Sequence, residues 1–298
     1  MLNWILGGSI LAGLAWLAIR KDEQSSVKSN LPSTTNEPSA SEPTSPFQTV
    51  SHSMFPAINK TVDQNAILEA VKAGKAVYEF STIESEYNGH KAQFKVFSDA
   101  LMIDGVRVAV CANTNQYIAD TLDCSPLTAK IADLMWLQRK TTLPPFPRGR
   151  IDDMASVQAM LDHSKRIDKA LADKPKPWGL ICTVGKLWVL DNDLLSKPGM
   201  AMNYGWHYGT EPSYQGVNGE LTASKISENG KSVRVIQGRG TRHDAAHIDY
   251  SQVCVLQSNK CTVDGVDMRL DAVLTNSDLA PLANHSGVLR VLRQPTAK

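Results

Sequence analysis

The order of apolar and polar positions divides the chain into three parts. Residues 1–19 contain no charged side chain, the next segment is rich in Ser, Thr and Pro, and apolar residues recur at regular intervals in the remainder. We therefore predict a transmembrane anchor over residues 1–20, a disordered stalk over 21–47 and a single globular domain over 48–298.

Within the globular part, the periodicities place most helices before most strands. Apolar residues three and four apart predict helices over residues 65–74, 113–124, 127–140, 154–171 and part of 270–285. Alternating, β-branched stretches predict strands over residues 92–104, 105–112, 180–185, 186–191, 232–238, 253–257 and 261–270, with a hairpin turn at Asp104-Gly105. This order indicates an α+β fold, with helices mainly in the first half and a mixed or antiparallel sheet in the second, preceded by one transmembrane helix.

The sequence supports two opposite orientations of the anchor in the membrane. Its 19 uncharged residues would span about 28 Å at ~1.5 Å per residue, enough for a bilayer core. Arg20 and Lys21 favour a cytoplasmic body, whereas a Ser/Thr/Pro-rich stalk is typical of a domain held on the outer side. We expect a single-pass membrane protein with an extracytoplasmic body, and a homodimer through small residues such as Gly8 and Ala12.

Charge and motifs exclude two classes of partner. The chain has 31 Lys and Arg against 30 Asp and Glu, and no basic stripe, so we expect no nucleic-acid binding. It contains no P-loop and no G-x-G-x-x-G after a strand, so nucleotide binding has no support.

The five cysteines form no C-x-x-C pair. In an oxidising compartment Cys254 with Cys261, or Cys111 with Cys124, would close short loops. In a reducing compartment all five would be small buried apolar side chains.

The densest group of chemically capable side chains lies within residues 238–257. His243 and His247 are four apart, which places both on one face of a helix and suits zinc, with His207 as a third ligand. The Glu that follows the first His of zinc metalloproteases is replaced by Asp244. We therefore expect no cofactor and keep zinc as the alternative.

The same region is the predicted catalytic site. Its residues are His207, His243, His247, Asp249, Ser251 and Cys254. Cys254 would be the nucleophile, any of the three histidines its base, and Asp249 the group that orients the imidazole. Ser251 is a substitute nucleophile, although no G-x-S-x-G elbow surrounds it. The competing interpretation is that Cys254, in the apolar run VCVL, is simply buried.

Substrate contacts are predicted nearby, in the stretch YGWHYGTEP and in the arginines that precede the histidine pair. The predicted substrate-binding residues are Tyr204, Trp206, Tyr208, Arg239 and Arg242. Aromatic rings between glycines are typical of a ligand-contacting loop.

Four segments resemble those of a family of uncharacterised bacterial and phage proteins. They are CSPLTAKIADLMW, Gly205-Trp206-His207, Asp249-Tyr250-Ser251 and NHSGVLR, and the resemblance covers roughly residues 85–295. It implies a common fold and no particular activity.

A fainter likeness concerns L,D-transpeptidases, enzymes that cross-link peptidoglycan. HYGTEP and SQVCVL are similar to their His-Gly and S-H-G-C-[IV]-R stretches, with Cys254 in the place of the nucleophile and His207 in that of the earlier histidine. Gln252, Val253 and Leu256 depart from the His, Gly and Arg of that pattern. The likeness implies thiol or histidine chemistry on a peptide-like envelope substrate.

These observations lead to two hypotheses. The first is a membrane-anchored, envelope-associated hydrolase or transpeptidase-like enzyme that acts on a peptide or peptidoglycan substrate. The alternative is a non-catalytic, membrane-tethered binding or assembly protein of a cell envelope or phage particle, with an aromatic contact patch of Tyr204, Trp206, Tyr208 and Tyr214. The enzyme hypothesis requires that the three histidines and Cys254 share one solvent-open pocket.

Overall fold

A computed structural model describes residues 54–148, 153–210 and 222–297 of the chain. All of them belong to one compact unit, Thr49–Lys298. Its helices are α1 (Gln64–Lys72), α2 (Ala112–Thr121), α3 (Ala129–Leu137), α4 (Val157–Ala172) and α5 (Leu270–Thr275), with two 3₁₀ turns at Asn192–Ser196 and Ala280–Leu282.

The described residues form fourteen strands. They are β1 (Ala76–Val77), β2 (Phe80–Tyr87), β3 (His90–Phe97), β4 (Met102–Ile103), β5 (Val106–Arg107), β6 (Cys124–Thr128), β7 (Thr141–Thr142), β8 (Ile181–Cys182), β9 (Lys186–Leu190), β10 (Met200–Gly209), β11 (Thr222–Glu228), β12 (Lys231–Asp244), β13 (Leu256–Val263) and β14 (Val266–Arg269).

One large mixed sheet organises the described residues. Its strand order is β11-β12-β10-β9-β6-β13-β3-β2, and β14 pairs with β13 beside this path. The pairs are antiparallel except for β6 with β9, which is parallel. The α+β class predicted from the sequence is thus confirmed, with strands predominating in the later part.

The sheet curls around α3, whose C-terminal end touches both of its edge strands. The Gln138 side chain accepts a hydrogen bond from the Glu84 amide and donates one to the Glu84 carbonyl on β2, both at 2.8 Å. Arg139 forms an ion pair of 3.0 Å with Glu228 on β11. A side chain thereby satisfies edge-strand groups that would otherwise be open to another chain.

The core lies on both faces of the central strands. Every residue of β9 is buried, which is expected for a strand covered on two sides. On one face, Leu187 lines a small cavity together with Ala132 and Met135 of α3. On the other face, the indole of Trp188, the next residue on β9, donates to the Val110 carbonyl at 2.7 Å.

Two of the differences between the predicted and the observed segments bear on the candidate site. YGWHYG belongs to β10 rather than to a loop, because the small and aromatic residues of that run pair with β9 and β12. The strand predicted at 232–238 extends to Asp244, so His243 lies on a strand and not on a helix. The hairpin turn at Asp104-Gly105 is confirmed, but its paired strands are only two residues long.

No helix among the described residues has the length and apolar character needed to cross a membrane. The predicted anchor and stalk, residues 1–47, lie outside the described ranges.

Candidate functional site

The carboxylate of Asp133 is the centre of a cluster of ionisable side chains. It is completely buried on α3. Its Oδ1 accepts hydrogen bonds from the Tyr204 hydroxyl at 2.6 Å and from His207 Nε2 at 2.7 Å, and its Oδ2 accepts one from His285 Nε2 at 2.7 Å. We call these four residues the Asp133 cluster.

An irregular backbone brings Tyr204 and His207 to the same carboxylate. Residues three apart on a regular strand point to opposite faces of a sheet. Between them, Gly205 has φ +110° and Trp206 has φ +54°, and the register of β10 with β12 shifts nearby. Because a positive φ disfavours an L-residue other than Gly, the conformation of Trp206 marks a locally strained strand, as is common near functional sites.

Two side chains of the α3 region hold the segment that carries His285. The Thr128 hydroxyl donates to the Ala283 carbonyl, and Lys130 Nζ donates to the Pro281 carbonyl. Thr128 is also the N-cap of α3, where its hydroxyl accepts from the Ile131 amide. His285 is therefore tied to the same helix that carries Asp133.

His207 is packed by a ring stack. The indole of Trp136 lies 5.6 Å from the imidazole of His207, at an interplanar angle of 16°. The Arg139 guanidinium covers the Trp136 ring at 3.8 Å, a close cation–π contact. This packing limits the rotation of His207, so its orientation towards Asp133 is preset.

The electrostatics of the cluster favour an ionised Asp133. Burial by itself would raise the pKa of Asp133, but the hydrogen bonds from His207, His285 and Tyr204 outweigh it, and the pKa is lowered on balance. Burial and the neighbouring carboxylate raise the pKa of Tyr204, which stays a neutral donor.

The arrangement can perform acid–base chemistry at His285. Its side chain is 16% exposed, whereas those of His207 and Asp133 are 5% and 1% exposed. A carboxylate that holds one imidazole nitrogen fixes the tautomer and leaves the other nitrogen free to exchange a proton. His285 is therefore the member of the cluster that a substrate can reach.

The histidine pair predicted from the sequence forms, but away from His207. The rings of His243 and His247 stack at 4.0 Å with an interplanar angle of 9°. Ala201 of β10 pairs with His243, whereas His207 pairs with Val235. Six residues of strand, roughly 20 Å at about 3.3 Å each, separate the two positions.

Asp249 lies within electrostatic reach of His243 and His247, and it contacts Lys186 and Ser251. Asp249 Oδ2 accepts from Lys186 Nζ at 2.5 Å, and its Oδ1 accepts from the Ser251 hydroxyl at 2.7 Å. Burial would raise the pKa of Asp249, but Lys186 and Ser251 lower it on balance. Ser251 is completely enclosed, so it cannot act as the substitute nucleophile.

Burial, more than any other influence, lowers the pKa of both His243 and His247. The two imidazoles also lie within electrostatic reach of Lys186, which lowers both values further, while Asp249 and Asp244 oppose it. Both rings are consequently neutral at neutral pH.

The zinc alternative has no geometric support. A metal ion lies in the plane of an imidazole that binds it, and two rings stacked face to face share no such point. His207, the predicted third ligand, lies in the other cluster. No group of three or more metal-binding side chains occurs in the described ranges.

Cys254, the predicted nucleophile, lies in an environment that does not suit that role. Cys254 is completely buried between apolar neighbours, and burial raises the pKa of its thiol. A thiol in that state is a poor nucleophile. Its position agrees with the competing interpretation of a small core side chain. All five cysteines are buried and free, so neither predicted disulfide is present.

The predicted substrate contacts separate in the same way. Tyr204 belongs to the Asp133 cluster, whereas Trp206 is buried beside Tyr250 and Ala159. Arg239 bonds to Asp191 at 2.7 Å. Tyr208 is half-buried and Arg242 is exposed, while Tyr214 lies outside the described residues.

Sequence reasoning missed Asp133, His285 and Lys186. A usable signal was the single acidic residue inside the apolar helix IADLMW. Of the four segments that carry the resemblance, one contains Asp133, one His207 and one His285. These three segments therefore meet in the structure, although the resemblance assigned no role to them.

No protein-family model matches the chain, and neither a curated protein nor a solved structure is significantly similar to it.

Proposed function

We propose that the chain is a membrane-anchored, envelope-associated hydrolase that cleaves an amide bond in a peptide or peptidoglycan substrate. In this proposal residues 1–20 form a transmembrane helix and hold the body outside the cytoplasm. The observation that carries the proposal is the pair of imidazoles on a buried carboxylate, one of them partly exposed.

The chemistry assigned to His285 is general acid–base catalysis. The imidazole takes a proton from a water molecule as the water oxygen attacks the carbonyl carbon, and it returns that proton to the nitrogen as the C–N bond breaks. Water is thus added across the amide bond without a change in oxidation state. Asp133 orients His285 and stabilises the imidazolium, while His207 and Tyr204 hold Asp133 in place.

In this mechanism His285 takes the place of the Cys254 thiol expected from the likeness to transpeptidases, because Cys254 is completely buried. The aromatic contact patch suggested for the binding-protein alternative loses two of its members, since Tyr204 and Trp206 are each 3% exposed.

The test is release of soluble fragments from dye-labelled peptidoglycan by the full-length chain in detergent. The expected result is activity that falls at least about 100-fold in His285→Gln, the scale of a lost acid–base group. His90→Gln is the matched control, since His90 also contacts a carboxylate at 2.7 Å, on Asp264, but at the surface. Absence of cleavage by the wild-type chain, or equal activity of both variants, would overturn the proposal.

A further inference from the structure

A groove open to solvent crosses the strands β2, β3, β13 and β14, each of which contributes lining residues. Its volume is about 490 Å³, within the range of about 300–1,000 Å³ that is typical of small-molecule sites. Gln93 and Lys95 of β3 line it and alternate with the buried Ala92 and Phe94. The groove therefore lies on the solvent face of these strands, and none of its lining residues belongs to the Asp133 cluster.

Three cations from three neighbouring strands line one side of the groove. Lys260 of β13 and Arg269 of β14 are direct cross-strand partners. Lys95 of β3 lies opposite the irregular stretch of β13 between Gln257 and Cys261, and this stretch contains Lys260. Like charges that lie side by side on neighbouring strands repel each other and destabilise a sheet. We call Lys95, Lys260 and Arg269 the basic row.

The described residues balance only part of the charge of the basic row. Asp123 pairs with Arg269 at 3.1 Å and reaches Lys260 at 4.0 Å. Arg269 also lies 3.7 Å from Asp271, whereas Lys95 has no ion-pair partner among the residues that the structure describes. The guanidinium of Arg269 is thus held by carboxylates, and the ammonium groups of Lys95 and Lys260 are available to an anion from outside.

The other side of the groove carries a negative charge. Thr262 of β13 pairs with Gln93 of β3 and with Asp267 of β14, so these three side chains form a second row across the sheet. Asp267 is exposed and, within the described ranges, has no ion-pair partner. It precedes Arg269 by two residues on one strand, so the two rows lie about 7 Å apart at ~3.4 Å per residue.

We propose that this groove binds a small zwitterion of the size of a dipeptide. The carboxylate of the ligand contacts Lys95 and Lys260, and its ammonium group contacts Asp267. An extended dipeptide spans about 7 Å, two residues at ~3.5 Å each, which matches the separation of the two rows. Gln93 and Thr262 offer hydrogen-bond donors and acceptors to the peptide bond.

The carboxylate of Asp267 also sets the selectivity of the groove. It repels a ligand that carries only negative charge, and the basic row repels a ligand that carries only positive charge. The site is independent of the proposed hydrolysis, since it shares no residue with the Asp133 cluster.

The binding test is isothermal titration calorimetry of the full-length chain in detergent, with L-alanyl-L-alanine as the probe. Ionic strength is kept low, because salt screens exposed charges. We expect saturable binding by the wild-type chain and about fivefold weaker affinity in Lys95→Met and in Asp267→Asn, the upper range for an exposed ion pair. Lys91→Met is the matched control, since Lys91 lies on the same face of β3, beside Glu86 at 3.9 Å, and does not line the groove. It should bind the probe as the wild type does.

Two blocked forms of the probe test its two ends separately. N-acetyl-dialanine lacks the ammonium group, and dialanine amide lacks the carboxylate. Both should bind more weakly than dialanine; Asp267→Asn should not weaken the first any further, nor Lys95→Met the second. Absence of saturable dialanine binding, or equal affinities of Lys95→Met and Lys91→Met, would overturn the inference. N-acetyl-dialanine that binds as tightly as dialanine would indicate a simple anion site and would overturn the zwitterion assignment.

Discussion

The Asp133 cluster and the buried side chains of Asn203 and Gln252 show two different outcomes for polar atoms inside the fold. In the first, two imidazoles and a phenol satisfy one carboxylate, and only His285 reaches solvent. In the second, the side chains of Asn203 and Gln252 have four buried atoms without a hydrogen-bond partner among the residues that the structure describes. The first arrangement presets a reactive group, whereas the second leaves hydrogen-bonding capacity that no described residue uses.

The largest expected effect concerns the Asp133 cluster. Asp133→Asn removes the charge that two imidazoles share, and it sets an N–H donor against a ring nitrogen that also donates. We expect the free energy of unfolding to fall by about 3–4 kcal/mol, within the range for a broken buried ion pair. Urea titration followed by tryptophan fluorescence measures it.

Asp264→Asn is the control for that prediction, because Asp264 makes the same imidazole contact at the surface. Its unfolding curve should overlay that of the wild type. Equal losses in the two variants would mean that burial of the Asp133 cluster contributes nothing.

Acid should first affect the region around His163. Burial lowers the pKa of His163, which lies between Trp206 and Tyr250, to about 4. Since the unfolded value is near 6.5, the unfolded chain binds the proton first, and stability falls as the pH drops from 6.5 to 4, by about 3 kcal/mol in full. The depressed pKa of Asp133 contributes stability that is lost only when the pH falls below its ordinary value of 3.8.

Urea titrations at pH 7.5, 5.5 and 4.5 check this order. His163→Gln keeps a donor for the Val184 carbonyl but cannot titrate, so its loss of stability between pH 7.5 and 4.5 should be smaller than that of the wild type. Parallel losses in the two proteins would contradict a neutral, buried His163.

The smallest effect concerns the irregular stretch of β10 at Gly205 and Trp206. Gly205→Ala adds a Cβ to a residue with φ +110°, at a cost of about 1–2 kcal/mol. It should also reduce the activity assigned to His285, since Tyr204 and His207 depend on this bend to reach Asp133. Denaturant unfolding and the peptidoglycan assay measure the two effects.

Gly240→Ala is the matched control on the paired strand. Gly240 has no positive φ, and an added Cβ would lie 3.7 Å from its nearest neighbour atom. Its stability and activity should change little. A Gly205→Ala variant as stable and active as Gly240→Ala would show that the bend is not required.

The helices were predictable because each has a local signal. The amphipathic run predicted at 154–171 appears as Val157–Ala172, capped by Ser156, and the helix predicted at 65–74 appears as Gln64–Lys72, capped by Asp63. Helix periodicity and N-cap chemistry act within a few residues, so they are visible in one dimension.

The site was only partly predictable. The sequence indicated His207, Asp249 and the histidine pair as polar residues of interest. The prediction placed all of them in one pocket, which the structure does not show. Their separation depends on which face of β10 and β12 each side chain uses, and the positive φ values at Gly205 and Trp206 reverse the expected alternation.

By itself, the order of residues determined the α+β class of the fold and the apolar setting of Cys254, because both follow from hydrophobic patterns within short stretches of sequence. Only the tertiary structure decided that Asp133, seventy-four positions before His207 and 152 before His285, would join them. Long-range partners of a buried carboxylate follow from how strands pair across the sheet, and no short window of sequence contains that information.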